Sequence, residues 1–232
     1  MPSDEEIFSK ARREGRHFLL EPEAAAICAR HGIPHPESRL STTAEEARKH
    51  AEELGYPVVF KVVSPDILHK TEAGGVLFGL QGSADVNRGF EKITANVKEH
   101  NPSANVLGIL VQRMVPAGTE LIIGAFRDRQ FGAAVLFGMG GVFVEIFKDV
   151  IFGLAPLRKS EAYDMVRSIK AYPVLKGYRN MPGVDERGIV DILLKTSELM
   201  TTHPEIDQID LNPTIASEKD VIAVDARILL CS

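Results

Sequence analysis

The composition of this chain of 232 residues, 44% hydrophobic and 25% charged, predicts a folded protein that is long enough for two lobes. Its formal net charge of −5 argues against a protein that binds nucleic acid, although a local basic pocket for phosphate is still permitted. The N-terminus MPSDEEIFSKARREGR lacks the apolar segment of a signal peptide, and no run approaches the roughly 18 apolar residues of a membrane span, so we expect a cytoplasmic protein without membrane contact.

The first half of the chain alternates helix and strand patterns. An Ala-rich helix is predicted at about Glu21–Arg30. A second helix begins with the capping-box spacing of Thr42 and Glu45 and ends near Leu54. Two short strands, VVFKVV and VLFGL, then flank the segment HKTEAGG, and a helix at about Ser83–His100 precedes the strand VLGILVQRM.

The second half of the chain predicts a different lobe. Its apolar runs ELIIGAF, FGAAVLF, VFVEIF and VIFGL are separated by polar or glycine-rich turns, which is typical of an antiparallel sheet. Helices are predicted at about Ser160–Tyr172 and Asp185–His203, and the segments IDQIDLNP and VIAVDARILL form a terminal hairpin. We therefore predict a mixed α/β (α+β) fold of two lobes, at residues 1–110 and 111–232, with the ligand cleft between them.

Lys61 stands in the middle of the apolar run VVFKVV. Burying an ammonium group is costly unless it has a partner, and a phosphate oxygen is one candidate for that partner. The alternative is a strand with one wet face, along which the lysine side chain reaches solvent. The sequence alone leaves both interpretations open.

The segment HKTEAGG, residues 69–75, has the composition of a loop that meets an anion. Backbone N–H groups of Gly74 and Gly75 could form an anion-binding concavity. Lys70 adds positive charge, and the imidazole of His69 can titrate or accept a phosphoryl group. The segment matches neither GxxxxGK[ST] nor GxGxxG, which excludes the two commonest nucleotide motifs. A solvated hairpin turn whose glycines supply positive φ is the alternative.

A second glycine cluster lies between two predicted strands and consists of Gly138, Gly140 and Gly141. These glycines could let the backbone approach a ligand closely, or they could form a β-bulge. Glu120 and Glu145 place carboxylates on otherwise apolar strands. Ribose hydroxyls, a magnesium ion or a wet strand face would each account for those carboxylates.

The terminal hairpin carries a candidate metal site. Asp210 and Asn212 share one face of the first strand because side chains alternate along a strand. If the turn centres on Glu218–Lys219, Asn212 stands opposite Asp225 with about 5 Å between their Cβ atoms, a distance at which both can hold Mg²⁺. A turn shifted by one residue would place Arg227 there instead, and a polar solvent face is the further alternative.

The two cysteines of the chain, Cys28 and Cys231, lie far apart in the sequence. They show no CxxC spacing and have no histidine cluster beside them in the sequence. We therefore expect two free thiols, with no support for a disulfide framework or for a zinc site.

Five segments of the sequence resemble one known family. They are FKVVSPDILHKTEAGGV, VQRMVPAGTELIIGAFRD, FGMGGVFVEIFKDV, FGLAPL and IDLNPTIASEKDVIAVDARI. They occur in the order found in the ATP-grasp β subunit of ADP-forming acetyl-CoA (acyl-CoA) synthetases. The resemblance runs from about Glu21 to the end of the chain and implies an ATP-grasp fold whose two lobes grasp a nucleotide.

The resemblance implies a role for each position that matches the family. His69 corresponds to a second phosphohistidine, which would make it a phosphoryl relay, and Asn212 and Asp225 would hold Mg²⁺. Arg113 departs from the acidic residue that many ATP-grasp proteins carry in the hinge, so the backbone carbonyl becomes the expected contact to the adenine amino group. The implied nucleotide-binding residues form three groups. At the phosphates are Lys61, Lys70, Gly74 and Gly75. At the adenine-facing hinge are Gln112, Arg113, Met114 and Val115, and at the ribose is Glu120.

The implied reaction is acyl-CoA + ADP + phosphate ⇌ acid + ATP + CoA. In this family the CoA and acyl chemistry belongs to a separate CoA-binding α subunit with its own histidine, so the chain is expected to act in a hetero-oligomer such as α2β2. Mg²⁺ and ADP or ATP are the expected metal and substrate. The alternatives are a nucleotide-binding regulatory ATP-grasp module partnered to an acyltransferase, and an ATP-grasp carboxylate–amine ligase, for which no acceptor-binding segment is left over.

Overall fold

The computed structural model describes residues 2–67, 69–141, 149–179 and 182–231. These residues form two compact units, one from Pro36–Pro116 and one from Met1–His35 together with Ala117–Ser232. Both units combine helices with antiparallel strands, which confirms the predicted mixed α/β fold. The division predicted between residues 110 and 111 lies close to the observed one at Pro116, but the prediction kept the N-terminal segment in the first lobe.

The unit Pro36–Pro116 is a sheet covered by two helices. Its elements are β1 (Ser38–Ser41), α3 (Ala44–Leu54), β2 (Val58–Val63), β3 (Val76–Leu80), α4 (Ser83–His100) and β4 (Gly108–Arg113). The strand order is β1-β4-β2-β3, and all neighbours are antiparallel. Phe60 of β2, Ile93 of α4 and Val111 of β4 are buried in one apolar cluster, so β2 lies in the interior of the sheet with its side chains enclosed.

The helix α3 begins one residue later than the capping-box spacing predicted. Thr43, not Thr42, is its N-cap, and the Thr43 hydroxyl accepts the Glu46 N–H at 3.2 Å. The Glu46 carboxylate in turn accepts the N–H and the hydroxyl of Thr42. Gly55 ends the helix with φ of 82°, a left-handed conformation that glycine adopts without strain.

The second unit consists of a larger antiparallel sheet and the remaining helices. Its elements are α1 (Asp4–Arg13), α2 (Glu21–Arg30), β5 (Thr119–Asp128), β6 (Gly132–Met139), β7 (Val150–Leu154), α5 (Lys159–Ser168), α6 (Tyr172–Leu175), α7 (Glu186–Thr202), β8 (Ile206–Ala216), β9 (Val221–Ala223) and β10 (Arg227–Leu230). Within the described residues the strand order is β10-β8-β5-β6-β7, and β9 pairs with β8. The predicted helix at 160–172 is divided into α5 and α6, and the predicted strand VFVEIF lies outside the described residues.

Residues 17–19 explain why the N-terminal segment belongs to the second unit. The Leu19 N–H donates to the Ile228 carbonyl at 2.9 Å, and the Leu230 N–H donates to the His17 carbonyl at 2.8 Å. The segment therefore pairs with β10, and the apolar faces of α1 and α2 share one buried cluster with β10 and α7. The contacts join residues about 200 positions apart, which a local sequence pattern does not reveal.

The two cysteines are free thiols, as predicted. Cys28 is buried in α2, and this burial raises the pKa of its thiol to about 12. A thiol with so high a pKa is unreactive at neutral pH. Among the helices that the structure describes, none combines the length and the apolar character needed to cross a membrane.

Candidate functional site

Lys61 is enclosed in the central part of its sheet. It lies in β2, whose six residues are all buried, and it pairs with Leu110 of β4 on one side and Val76 of β3 on the other. Its residue exposure is 4%. The alternative of a wet strand face is therefore wrong, and the position offers a fixed positive charge of the kind that binds a phosphate oxygen.

The segment HKTEAGG lies in the long connection between β2 and β3, and its backbone closes on itself. The Ala73 N–H donates to the His69 carbonyl at 3.2 Å, and the Gly75 N–H donates to the Lys70 carbonyl at 2.7 Å. The Gly74 N–H donates to the Thr71 carbonyl at 3.1 Å. The expectation that Gly74 and Gly75 present free N–H groups to an anion is therefore wrong, because both groups already serve the turn.

The two glycines shape the loop instead of binding through their N–H groups. Gly74 has φ of 62°, and its carbonyl accepts a hydrogen bond from Asn96 Nδ2 at 3.0 Å. A Cβ atom on Gly75 would lie 2.4 Å from Cγ1 of Val62, so only glycine fits this approach to β2. With the loop held in this way, His69 is exposed at its start and Lys70 is half-buried beside it.

Replacing Gly75 by alanine should destabilise the protein by about 1–3 kcal/mol, because the new Cβ must displace Val62 or the loop. We expect a lower urea midpoint with an unchanged slope, together with reduced activity from the displaced loop. Thr71→Ala is the matched control in the same loop, because the Thr71 side chain is exposed and such changes stay within about 0.5 kcal/mol. Equal stability of the two variants would show that the Gly75 contact is not a constraint.

The predicted adenine-facing segment, residues 112–115, consists of the last two residues of β4 and the two residues that follow them, and Pro116 then ends the unit. Gln112 is buried, whereas the side chains of Arg113 and Met114 are exposed. The Arg113 N–H donates to the Glu37 carbonyl at 2.9 Å, and the Met114 N–H donates to the Pro57 carbonyl at 3.1 Å. Because both N–H groups already donate hydrogen bonds within the unit, only the carbonyl oxygens of Arg113 and Met114 could make a backbone contact to a base.

Glu120 is exposed near the start of β5 and packs against the second glycine cluster. Its carbonyl accepts the Gly140 N–H at 2.7 Å, and a Cβ on Gly141 would lie 2.9 Å from its Oε2. The β-bulge alternative is wrong for β6, since this strand pairs with β5 in unbroken register through Met139. Because Gly140 and Gly141 have no side chains, Glu120 can lie directly against them. Glu145 lies outside the described residues.

The terminal hairpin has the predicted register. Thr214 pairs with Ala223, and Ala216 pairs with Val221, which centres the turn on Glu218–Lys219. On the far side of the interruption the β8–β10 ladder has the same register, with Asp210 opposite Arg227. The Val224 N–H also donates to the Pro213 carbonyl at 2.9 Å, in keeping with that register.

Between these two ladders Asn212 and Asp225 therefore occupy opposed positions. Arg227 stands opposite Asp210 and not opposite Asn212, which excludes the shifted turn. A carboxylate and an amide oxygen at this spacing are suitable ligands for a hard divalent cation. The residues present thus fit a magnesium ion.

Asp210 is a further candidate oxygen ligand on the same strand face as Asn212, with no metal role assigned to it from the sequence. Although the Asp210 residue is exposed on its strand face, partial desolvation of the carboxyl group raises its pKa, the negative charge of Asp225 raises it further, and Arg227 acts in the opposite direction. The two carboxylates therefore repel each other, and a bound cation would relieve that repulsion. The available signal was the spacing of Asp210 and Asn212, which places both side chains on one strand face.

The predicted residues are thus distributed over both units. The unit Pro36–Pro116 carries Lys61, the loop with His69, and the segment 112–115, whereas the second unit carries Glu120 and the carboxylate–amide pair of the hairpin. Taken separately, the first unit carries the predicted cationic and imidazole groups, and the second carries the predicted oxygen ligands.

Known proteins resemble this chain along nearly its whole length. Residues 10–230 match a protein-family model described as an ATP-grasp domain. The chain is 47% identical to the "Acetate--CoA ligase [ADP-forming] I subunit beta" of Pyrococcus furiosus, over 97% of each protein. It is 43% identical over 97% of its length to the "Acetate--CoA ligase [ADP-forming] I" of Archaeoglobus fulgidus, but this match spans only 33% of that longer protein.

Two solved structures of one enzyme also resemble this chain along nearly its whole length. The dinucleotide-forming acetyl-coenzyme A synthetase 1 of Ca. Korarchaeum cryptofilum, in complex with coenzyme A, Ca-AMPCP and HgCl+, superposes with a TM-score of 0.96 at 44% identity, over 99% of this chain and 100% of that chain. The same enzyme with coenzyme A and Mg-AMPPCP gives a TM-score of 0.88 at 42% identity over the same shares, and its phosphohistidine segment points towards the nucleotide binding site.

Proposed function

Because this chain belongs to the ATP-grasp family and, within it, to the β subunits of ADP-forming acetate–CoA ligases, we propose that it performs the nucleotide half of an acid–CoA ligase reaction. The complete reaction is acyl-CoA + ADP + phosphate ⇌ acid + ATP + CoA. The observation that carries this proposal is the 47% identity over 97% of both proteins to a β subunit of that enzyme.

His69 is proposed as the group that passes the phosphoryl to ADP. Its imidazole is exposed in the loop that Gly74 and Gly75 hold against β2, so a phosphoryl donor and a nucleotide can reach it. In the step that forms ATP, an oxygen of the ADP β-phosphate bonds to phosphorus while the N–P bond of phosphohistidine breaks. The imidazole nitrogen keeps the electron pair of that bond and is ready for the next phosphoryl group.

The nucleotide contacts are proposed from the family resemblance and from the chemistry of each residue within its own unit. Lys61 and Lys70 supply positive charge to the phosphates, residues 112–115 offer carbonyl oxygens to the base, and Glu120 accepts from the ribose hydroxyls. The opposed pair in the hairpin, Asn212 and Asp225, would hold Mg²⁺ with Asp210 beside them. When bound there, Mg²⁺ offsets negative charge on the phosphates and orients them for in-line transfer.

A partner subunit is proposed to supply the CoA and acyl chemistry. The Archaeoglobus relative contains the region similar to this chain as only 33% of its length, and the Pyrococcus relative is named as a beta subunit. We therefore propose that this chain works with a CoA-binding α subunit in a hetero-oligomer such as α2β2. Each of the two subunits should be inactive in the complete reaction without the other.

A coupled assay tests this function. The chain and the α subunit, purified separately and mixed, should form ATP from acetyl-CoA, ADP and phosphate in the presence of Mg²⁺, and omission of either subunit should abolish the reaction. ATP formation from a panel of other acyl-CoA thioesters then defines the preferred acid. Tight binding of Mg-ADP with no ATP formation from any thioester would contradict the proposal and favour a regulatory nucleotide-binding module.

Lys61→Met should weaken the binding of Mg-ADP by about 10–100-fold, because a hydrogen bond to a charged phosphate contributes about 1.5–3 kcal/mol. Methionine keeps the length and volume of the buried side chain but removes its charge. Calorimetric titration measures the affinity, and urea unfolding verifies the fold. Lys92→Met, at an exposed position of α4 in the same unit, should leave the affinity unchanged. Equal affinities of the two variants would remove Lys61 from the phosphate site.

A further inference from the structure

Asp4, His31 and His203 meet far from each other in the sequence but at one point of the second unit. Asp4 is the first residue of α1, while His31 and His203 directly follow the last residues of α2 and α7. The Nε2 atom of His31 lies 2.8 Å from Oδ2 of Asp4, and the Nε2 atom of His203 lies 3.2 Å from the same oxygen.

The spacing of these atoms fits a single metal ion. One ligand atom from each residue lies within 4.8 Å of the other two. Zinc binds histidine nitrogen at about 2.0–2.1 Å and carboxylate oxygen at about 2.0–2.2 Å, which places neighbouring tetrahedral ligands about 3.3 Å apart. Small rotations of the side chains would therefore bring all three ligands onto one ion.

The cluster is enclosed, and one of its nitrogens lacks an aligned partner. The side chains of Asp4, His31 and His203 are exposed by only 8%, 22% and 13%. Phe8 covers the His203 ring edge-on at 5.5 Å between ring centroids. His203 Nε2 is buried without a hydrogen bond of acceptable geometry, although Oδ2 of Asp4 is close. A buried nitrogen without an aligned partner is uncommon, and a bound cation would provide one.

Three carboxylates and two helix C-termini near the cluster favour a cation, whereas the charge of Arg30 opposes one. Arg30 pairs with Oδ1 of Asp4, so Oδ2 remains for the ion and the carboxylate is held in orientation. The carboxylates of Glu198, Glu205 and Glu5 act on the two imidazoles from the neighbouring helix ends. The C-termini of α2 and α7 also direct partial negative charge to this point.

The imidazoles have the protonation state that metal binding needs. Desolvation and the charge of Arg30 lower the pKa of His31, while Glu198 acts in the opposite direction. Desolvation and the charge of His31 lower the pKa of His203. Both rings are therefore neutral at pH 7, and a neutral imidazole nitrogen is the form that coordinates a metal.

We propose that Asp4, His31 and His203 form a site for a divalent transition-metal ion of the zinc class, separate from the magnesium site of the hairpin. Two imidazoles and one carboxylate favour Zn²⁺, Co²⁺ or Ni²⁺ over Mg²⁺, which prefers oxygen ligands. Water completes the coordination. The ion fastens the first turn of α1 to the C-terminal ends of α2 and α7, and this role is independent of the proposed ligase function.

Metal titration of the intact chain, purified without a polyhistidine tag and treated with a chelator, tests this site. Zn²⁺ should bind at one equivalent per chain in the presence of excess Mg²⁺ and should raise the melting temperature. Co²⁺ in its place should give the intense visible bands of a tetrahedral site. Changes outside the ligand shell of a metal typically weaken its binding by about 10–100-fold. Because His31→Gln and His203→Gln each remove a ligand, each should weaken Zn²⁺ binding by more than that.

His100→Gln is the matched control, because His100 is an exposed histidine at the end of α4 in the other unit. It should leave the zinc affinity, the cobalt spectrum and the thermal shift unchanged. Circular dichroism verifies that each variant is folded, and Asp4→Asn provides a third variant in case one histidine variant does not fold. The proposal is overturned by the absence of stoichiometric zinc binding, or by zinc binding that the His31 and His203 variants retain.

Discussion

His69→Ala should abolish ATP formation by the complex with the α subunit while leaving the affinity for Mg-ADP close to that of the unchanged protein. Alanine has no nitrogen to carry the phosphoryl group, whereas the proposed nucleotide contacts from Lys61 and residues 112–115 remain. Removal of a covalent nucleophile lowers turnover on the order of 10⁴-fold or more. Steady-state assay of ATP formation and calorimetric titration of Mg-ADP measure the two effects separately.

His100→Ala provides the control for this variant, since it removes an exposed histidine from the same unit. The control should keep full activity and full affinity. If His69→Ala retained at least about a tenth of the activity, a loss of under 1.4 kcal/mol, His69 would only orient a phosphate and the relay would be wrong. A folded variant that had lost its nucleotide affinity would assign the loop to binding instead of transfer.

Asp225→Asn should have the second largest effect, a loss of about 10²–10³-fold in turnover at a fixed magnesium concentration. The substitution keeps the shape of the side chain but removes one of the charges that would hold the ion opposite Asn212. Because the loss acts through metal affinity, higher concentrations of Mg²⁺ should restore part of the activity. A magnesium titration of the reaction rate measures this shift.

Asp220→Asn is the matched control in the same hairpin, where Asp220 is exposed in the turn. Its magnesium dependence should equal that of the unchanged protein. An Asp225→Asn protein with an unshifted magnesium dependence would contradict the assignment of the hairpin as the metal site. Such a result would also leave the raised pKa of Asp210, which arises from desolvation and from Asp225, as a local electrostatic feature.

The parts of the fold that the sequence predicted are those governed by short-range rules. Alternation of side chains and a short polar turn determine the register of a hairpin, so the opposition of Asn212 and Asp225 follows from residues within one local segment. Helix ends such as Gly55 are similarly local, because glycine adopts the left-handed conformation there. The N-cap of α3 shows the usual error of one residue.

The parts that could not be predicted depend on distant contacts or on the course of the backbone. Residues 17–19 join β10 across nearly the whole chain, so no local pattern assigns the N-terminal segment to its unit. The engaged amides of Gly74 and Gly75 depend on how the loop closes, which composition does not determine. The helix α1 is a different case, because its capping box of Ser3 and Glu6 is a local signal from which the helix could have been predicted.

The burial of Lys61 is a related case. The sequence of β2 permits both a wet and an enclosed lysine, and only the burial of all six β2 residues in the folded protein shows that Lys61 is enclosed. The same holds for the cluster of Asp4, His31 and His203, whose members come from three separate helix ends. Spatial proximity of this kind is a property of the assembled unit and not of any segment.

The most direct test of the phosphoryl relay is the chemical state of His69 after incubation of the chain with Mg-ATP and the α subunit. Mass spectrometry of peptides prepared at alkaline pH should find phosphate on His69, the label should be lost in acid, and addition of ADP should discharge it with formation of ATP. A chain that turns over in the complete reaction but never carries acid-labile phosphate on His69 would contradict the relay.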